Sequence, residues 1–126
     1  MKFIYPAIFT LEDGAYNVEF PDLEGCFTCG DTMTEAFFNA QEALSAYTAS
    51  VLERGLNLPS ASELTSITAP SNGLVQLVDA KPAYTQASVK KTLSIPSWLN
   101  RRAEAAHAPY SKILQEGLER YLGLAR

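Results

Sequence analysis

The sequence predicts an α+β fold: a β-β-β-α-β domain over residues 1–80, a linker over 81–88 and a small β-α-α domain over 89–126. Three observations predict it. Short runs of aromatic and β-branched residues lie near the start, separated by turn-forming residues. A long stretch with apolar residues at helical spacing follows them. The charge of the chain then changes sign after residue 87, which marks the second domain.

Three short strands are expected before the first helix. The segments "KFIYPAIF" and "AYNVEF" are rich in aromatic and β-branched residues, and Asp13-Gly14 between them is a strong hairpin signal. Pro21 cannot donate a ladder hydrogen bond, so the second strand is predicted to end just before it. The segment "GCFTC" is predicted to form the third strand.

A long helix is predicted from about residue 33 to Arg54. Thr32 and Glu35 have the spacing of a capping box, in which each side chain bonds a free backbone N–H. Gly55 suits the left-handed residue just past the helix end. Apolar residues recur at three- and four-residue steps along one face: Met33, Phe37, Ala40, Leu44, Tyr47 and Val51.

The remaining elements are shorter. A loop rich in Ser, Thr and Pro leads to a fourth strand, "LVQLVD". After the linker, "SVKKTLSIP" is predicted as a strand that Pro96 ends, followed by the helix "SWLNRRAEAA". The turn "HAPY" precedes a final helix, with Ser111 as its N-cap. The predicted buried side of that helix contains Ile113, Leu114, Leu118, Tyr121 and Leu122.

Composition and charge limit the class of protein. A hydrophobic content of 47% and a charged content of 19% are typical of a globular chain and exclude intrinsic disorder. No apolar run is long enough to cross a bilayer, so no membrane partner is expected. With two cysteines and no export signal, the expected location is the cytoplasm. Residues 1–87 carry three basic and eleven acidic residues, whereas residues 88–126 carry seven basic and three acidic ones, which suggests partners of opposite charge.

The second domain is too small to bury its own apolar residues, since it has fewer than 40 residues. A lone strand also needs a partner for its edge. Both needs are met if two chains pair "VKKTLSI" antiparallel in a dimer, and a two-stranded ribbon of this kind fits the major groove of DNA.

Alternation along this strand separates core residues from candidate DNA contacts. Leu93 and Ile95 are expected to face the helices, so Lys90, Thr92 and Ser94 face outward. A lysine can bind a phosphate or a guanine, and the two hydroxyls can bind any base edge.

Three further residues are candidates for phosphate contacts. Lys91 lies at the start of the predicted strand. Ser111 and Lys112 lie at a helix N-terminus, where free N–H groups and the helix dipole favour a phosphate oxygen.

The tail "KKTLSIPSWLNRRAEAAHAPYSKILQEGLERYLG" resembles a ribbon–helix–helix DNA-binding domain. The resemblance lies in the strand, the proline that closes it and the serine at the start of the second helix. Two positions depart from it. His107 occupies the turn where such domains often have Gly or Asn, and Gly117 lies inside the last helix, where it costs about 1 kcal/mol relative to Ala.

The N-terminal part resembles the HicB antitoxins of HicA/HicB toxin–antitoxin pairs. The matching pieces occur in the right order, and together with the tail they cover nearly the whole chain: Tyr5-Pro6, Phe20-Pro21-Asp22, Gly25-Cys26, Gly30-Asp31-Thr32, Glu35-Ala36 and Leu58-Pro59. The resemblance implies a partial ribonuclease-H-like fold that covers a small basic RNA-cleaving HicA-type toxin. It also implies that the tail binds operator DNA of its own operon, and that the chain forms a homodimer or homotetramer.

Acidic residues around the second and third strands are the candidate toxin contacts, namely Glu19, Asp22 and Glu24. An acidic surface suits a basic RNA-binding partner. A metal-dependent nuclease is the rival reading, with Asp22, Glu24 and Asp31 as ligands. The first strand offers no convincing carboxylate, so we expect no catalytic residue, no metal and no cofactor.

The two cysteines have C-x-x-C spacing but no further feature of a redox or metal site. Cys26 and Cys29 fall on a predicted strand, where residues three apart point to opposite faces and cannot form a disulfide. Zinc needs four ligands, and the single histidine, His107, lies in the other domain. Both cysteines are therefore predicted to be packing residues.

The alternative to an antitoxin is a ligand-responsive repressor with the same DNA-binding tail and no toxin partner. It predicts a small molecule that changes DNA affinity.

Overall fold

Four antiparallel strands and one long helix build the first part of the chain. The computed structural model describes residues 2–83 and 88–124, which fall into two compact units that divide between residues 83 and 88. The first unit contains β1 (Phe3–Glu12), β2 (Ala15–Glu19), β3 (Phe27–Gly30), α1 (Met33–Glu53), a 3₁₀ helix (Leu64–Ser66) and β4 (Gly73–Ala80). The second contains α2 (Ser97–Ala105) and α3 (Tyr110–Tyr121). The predicted β-β-β-α-β order of the first unit is confirmed.

The sheet has the strand order β3-β2-β1-β4. Asp13 (φ 50°) and Gly14 (φ 79°) form the predicted hairpin turn between β1 and β2, and both take the positive φ angles that such turns require. β2 pairs with β1 only over Ile8–Glu12, whereas β4 pairs with it over Phe3–Thr10. Pro6 therefore lies where β1 has a strand partner on one side only.

One face of the sheet packs on α1. Ala36, Ala40 and Leu44 on the helix are fully buried, and the hydroxyl of the buried Thr48 donates to the Leu44 carbonyl (2.8 Å). The predicted helical stripe is confirmed, since its other members are buried or pack against the core. From the sheet and its loops, the core includes Tyr5, Ala7, Phe9, Val18, Phe20, Leu23, Cys26 and Val78.

The ends of α1 follow the sequence signals. The Thr32 side chain accepts a hydrogen bond from the Glu35 N–H (3.1 Å), which caps the first turn. At the other end Gly55 has φ 72°, and its N–H donates to the Leu52 carbonyl (3.0 Å). The third strand begins later than predicted, at Phe27. Gly25 (φ 83°) and Cys26 form a turn instead.

The beginning of the predicted linker is fixed to the first unit. The Ser45 hydroxyl donates to the Lys81 carbonyl (2.6 Å), and the Ala83 N–H donates to the Ser45 carbonyl (3.1 Å). Pro82, between them, is buried. The part of the predicted linker at residues 84–87 lies outside the described residues.

The second unit is a pair of helices joined by a tight turn. His107 in that turn has φ 53°, the left-handed conformation for which Gly or Asn is the usual residue. The prediction that Ser111 caps the last helix is wrong. α3 begins at Tyr110, with Pro109 at its N-cap and no side-chain cap, so Ser111 lies within the first turn. Proline suits a helix start because it has no N–H to leave unsatisfied.

No residue between 88 and 124 is buried. The residues predicted to form the buried side of the last helix are instead exposed, with Ile113 and Leu118 each 52% exposed. Residues 88–96 also form no strand within this single chain. The sequence analysis predicts that a second chain supplies the strand partner of this segment and covers the apolar side of the last helix. Both statements concern a dimer, so they stay predictions.

Candidate binding surfaces

The face of the sheet opposite α1 carries a cluster of exposed side chains. Residues directly opposite one another in an antiparallel pair share a face, and the register pairs Glu19 with Phe27 and Asn17 with Cys29. These four and Glu12 lie on the face that α1 does not cover, and all five are exposed. We call these five residues the open patch.

An exposed aromatic ring is at the edge of the open patch. Phe27 is 73% exposed and lies on β3, the outermost strand on that side. A shallow depression beside it is lined by Ile8, Thr10 and Glu19, among others. At the far side of the depression the Asn17 amide donates to the Glu12 carboxylate (3.3 Å). Hence the patch has an apolar end at Phe27 and a polar, acidic rim.

An ion pair holds Lys2 at the β4 edge of the sheet, the edge opposite β3. The ammonium of Lys2 lies 3.2 Å from the carboxylate of Asp79, on the edge strand β4. The hydrogen bond from Lys2 lowers the pKa of Asp79, and a second one from the Gln41 amide (3.1 Å) adds to this effect. Lys2 is therefore already paired.

The three acids predicted to contact a toxin have different surroundings. Glu19 is exposed on the open patch, and Glu24 is exposed in the turn before β3. Asp22 is half-buried, and its carboxylate accepts hydrogen bonds from the N–H (2.8 Å) and the hydroxyl of Ser62. These hydrogen bonds connect the loop between α1 and β4 to the turn after β2, a role of Asp22 that the sequence did not reveal. Its part in toxin binding, like that of Glu19 and Glu24, remains a prediction.

Sequence reasoning missed Phe27. The sequence places Phe27 on the third strand but does not indicate which face of the sheet its ring occupies. The signal that would have identified it is the hairpin register, because Phe27 opposite Glu19 places an aromatic and a carboxylate side by side.

The two cysteines are in different environments. The N–H of Cys26 donates to the Leu23 carbonyl (3.0 Å), and burial raises the pKa of its thiol to about 11. Cys26 is buried in the core, before β3 begins, whereas Cys29 lies on β3 and is exposed on the open patch, so the argument from alternation along one strand does not apply to the pair. The prediction that Cys29 is a packing residue is wrong, because its side chain is exposed.

Across residues 2–83 and 88–124, no three His, Cys, Asp or Glu side chains come together in a way that could hold a metal ion. The carboxylate of Asp22, one of the ligands in the rival nuclease reading, accepts hydrogen bonds from Ser62.

The predicted DNA contacts are all exposed. Lys90, Lys91, Thr92 and Ser94 lie in the segment before α2, which is exposed throughout. Ser111 and Lys112 lie in the first turn of α3, as predicted. Their backbone N–H groups belong to the set that has no partner within a helix. Whether these six residues contact DNA stays a prediction.

Comparison with known families identifies the chain. A family model described as the HicB-like antitoxin of bacterial toxin–antitoxin systems matches residues 5–116. The chain belongs to this HicB-like antitoxin family. The resemblance inferred from the ordered sequence motifs is therefore confirmed.

Other proteins similar to this HicB-like antitoxin include one sequence relative and two solved structures. An uncharacterised 14.9 kDa protein of Haemophilus phage HP1 is 31% identical over 114 residues, covering 85% of this chain and 86% of the phage protein. A chain of a toxin–antitoxin complex from Streptococcus pneumoniae is 25% identical, with a TM-score of 0.61, and the match covers 96% of this chain and 99% of that one. A chain of the HicA3 and HicB3 toxin–antitoxin complex is 28% identical, with a TM-score of 0.53 over 64% of this chain and 100% of that one.

None of the helices in the described residues of this HicB-like antitoxin is both long and apolar enough to cross a membrane.

Proposed function

We propose that this chain neutralises a small basic, RNA-cleaving toxin of the HicA type by binding it, without catalysis of its own, and represses its own operon by binding DNA. The observation that carries the proposal is the likeness to chains of two toxin–antitoxin complexes, one of which contains HicA3. In this proposal the first unit binds the toxin and the second binds the operator.

The charge of the first unit supports a basic partner. Between residues 1 and 87 the acidic residues exceed the basic ones by eight. Such a surplus attracts a cationic protein, speeds its encounter and disfavours nucleic acid as the partner of this unit.

The apolar surface of the second unit supports a dimer. Eleven large apolar residues between 88 and 124 are at least 39% exposed: Val89, Leu93, Ile95, Trp98, Leu99, Tyr110, Ile113, Leu114, Leu118, Tyr121 and Leu122. A monomer rarely leaves so much apolar surface in contact with water. A second copy would cover it and would supply the strand partner that residues 89–95 need.

The basic residues of the second unit support operator binding. Seven basic and three acidic residues lie between 88 and 126. A dimer doubles this excess, and phosphate neutralisation supplies most of the affinity of proteins for DNA. In a paired ribbon, Lys90, Thr92 and Ser94 would face the major groove, and Lys112 would approach the backbone.

The test is neutralisation in cells. The small reading frame beside this gene is induced alone and then together with the full chain. The proposal expects growth arrest by the first and its relief by the second. Without arrest, or with arrest that the chain does not relieve, toxin neutralisation is wrong. A repressor that responds to a small ligand is then the better description, and ligand-dependent binding of promoter DNA would identify it.

A further inference from the structure

We propose that the open patch is the docking surface for the toxin and that it binds an arginine side chain, which stacks on Phe27 and pairs with Glu19. The inference rests on the proposed function and specifies where and how the basic partner binds. The patch consists of Glu12, Asn17, Glu19, Phe27 and Cys29.

The geometry brings one aromatic ring and one carboxylate together. Glu19 and Phe27 are direct partners across the β2–β3 ladder, so their side chains leave the same face side by side. Both are exposed, and Phe27 exposes 73% of its surface. Single exposed apolar residues are common in proteins. The combination of a free ring face and an adjacent carboxylate is what suits a guanidinium group.

Arginine fits this pair better than other side chains. Its planar guanidinium stacks on aromatic rings and donates paired hydrogen bonds to carboxylates. At the patch one side chain can do both, since the ring and the carboxylate come from directly paired residues. A lysine would satisfy the charge but not the stacking and the paired hydrogen bonds.

The charge of the patch favours a basic protein over other occupants. The patch holds two carboxylates, those of Glu12 and Glu19, and no basic residue. The ammonium of Lys2 is paired with Asp79 at 3.2 Å, at the sheet edge opposite β3. A nucleic acid would be repelled by these carboxylates. In a two-fold contact between copies of this chain the same acidic patch would face itself, which is unfavourable because like charges repel.

The depression next to Phe27 gives the partner a place to bury apolar atoms. Ile8 and Thr10 line it and are half-buried, so a side chain placed over them would displace water from apolar surface. An apolar centre with a charged rim is the usual composition of a protein interface.

The experiment measures binding of purified full-length protein to the product of the adjacent small reading frame, by calorimetry. Phe27→Asp and Glu19→Lys are each expected to weaken binding by at least about 30-fold, the loss typical of a residue central to an interface. Phe38→Asp and Glu42→Lys are matched controls, because both residues are exposed on α1, away from the open face. The control variants are expected to bind within about threefold of wild type.

Two further variants separate contact from folding. Phe27→Ala removes the ring without adding charge, and Glu19→Gln keeps the shape of the side chain. Both are expected to keep the circular dichroism spectrum of the wild type and to weaken binding. Glu19→Arg combined with an arginine-to-glutamate change in the toxin is expected to recover at least about tenfold of the lost affinity.

The outcomes distinguish the two proposals. If the wild-type chain does not bind the product of the adjacent frame, the proposed function fails. If the wild type binds and Phe27→Asp binds equally well, the proposed function stands and the docking site is wrong. Loss of binding in the α1 control variants instead would assign docking to the helix side. A change of mass of the free protein on Phe27→Asp would show that the patch joins copies of this chain, which also overturns the inference.

Discussion

Replacing Gly30 with alanine should severely destabilise the first unit. Gly30 ends β3 and faces the start of α1, where a Cβ would lie 2.5 Å from the Ala36 nitrogen and 2.7 Å from the Ala36 Cα. Real Cβ atoms essentially never approach other atoms closer than 3.0 Å. Both contacted atoms are backbone atoms, so no side-chain rotation can relieve the overlap.

The expected cost follows from the movement that the methyl group requires. To restore an ordinary contact of 3.4 Å, the first turn of α1 would have to move away by about 1 Å. Overpacking of this kind costs about 1–3 kcal/mol. The movement also disturbs the Thr32 cap, which is worth about 1 kcal/mol. The free energy of unfolding should thus fall by about 2–4 kcal/mol.

The measurement is thermal unfolding followed by two probes. Far-ultraviolet circular dichroism reports on α1, the longest helix, whereas the fluorescence of Trp98, the only tryptophan, reports on the second unit. The dichroism midpoint of Gly30→Ala should fall by more than about 10 °C. Gly117→Ala is the matched control. Apart from the neighbouring backbone of its own helix, no described atom lies within 4 Å of the added methyl group there, so stability should be unchanged or about 1 kcal/mol higher.

Two results would refute this reasoning. A midpoint within about 2 °C of wild type would mean that the strand and helix are not in close contact at Gly30. Recovery of stability in the double variant Gly30→Ala with Ala36→Gly would also refute it. That second change removes a side-chain methyl and leaves the contacted backbone atoms in place.

Two more predictions concern the DNA-binding segment and the thiols. The triple variant Lys90→Ala, Thr92→Ala and Ser94→Ala should no longer protect the operator in footprinting, while the mass of the oligomer stays unchanged. If the triple variant still protects the operator, this segment does not recognise DNA. In native protein one thiol, Cys29, should react fast with a disulfide reagent at pH 8, because burial and a pKa of about 11 keep the Cys26 thiol neutral and inaccessible. Cys29→Ser should eliminate the fast phase, and a fast phase that persists would contradict the burial of Cys26.

The local elements of the fold could be predicted from the sequence because their signals are local. The Asp13-Gly14 turn, the Thr32 cap and the periodicity of α1 each involve residues within a few positions of one another. The start of the last helix was misplaced because Ser111 and Pro109 both suit a helix start, and the sequence offers no rule to rank them. The crowding at Gly30 arises from a strand end meeting a helix, which no local pattern encodes.

The candidate binding surface was only partly predictable for a similar reason. The excess of acids can be counted in the sequence, and it makes Glu19 a candidate toxin contact. The choice of face depends on strand register, which pairs Glu19 with Phe27 and hence creates the open patch. The hydrogen bond between Asp22 and Ser62 joins residues 40 positions apart, and no local pattern reveals that this carboxylate already has a partner.

Pro6 has a consequence for how the chain avoids aggregation. The first strand, "FIYPAIFTLE", is apolar and β-prone, and over its first residues it has a strand neighbour only on the β4 side. An unpaired strand edge of this kind is a template on which other chains can add. Proline is tolerated in a strand where its nitrogen faces away from the neighbouring strand, so Pro6 offers an incoming chain no N–H donor. It acts as a gatekeeper in a segment whose apolar, β-prone composition favours intermolecular sheets.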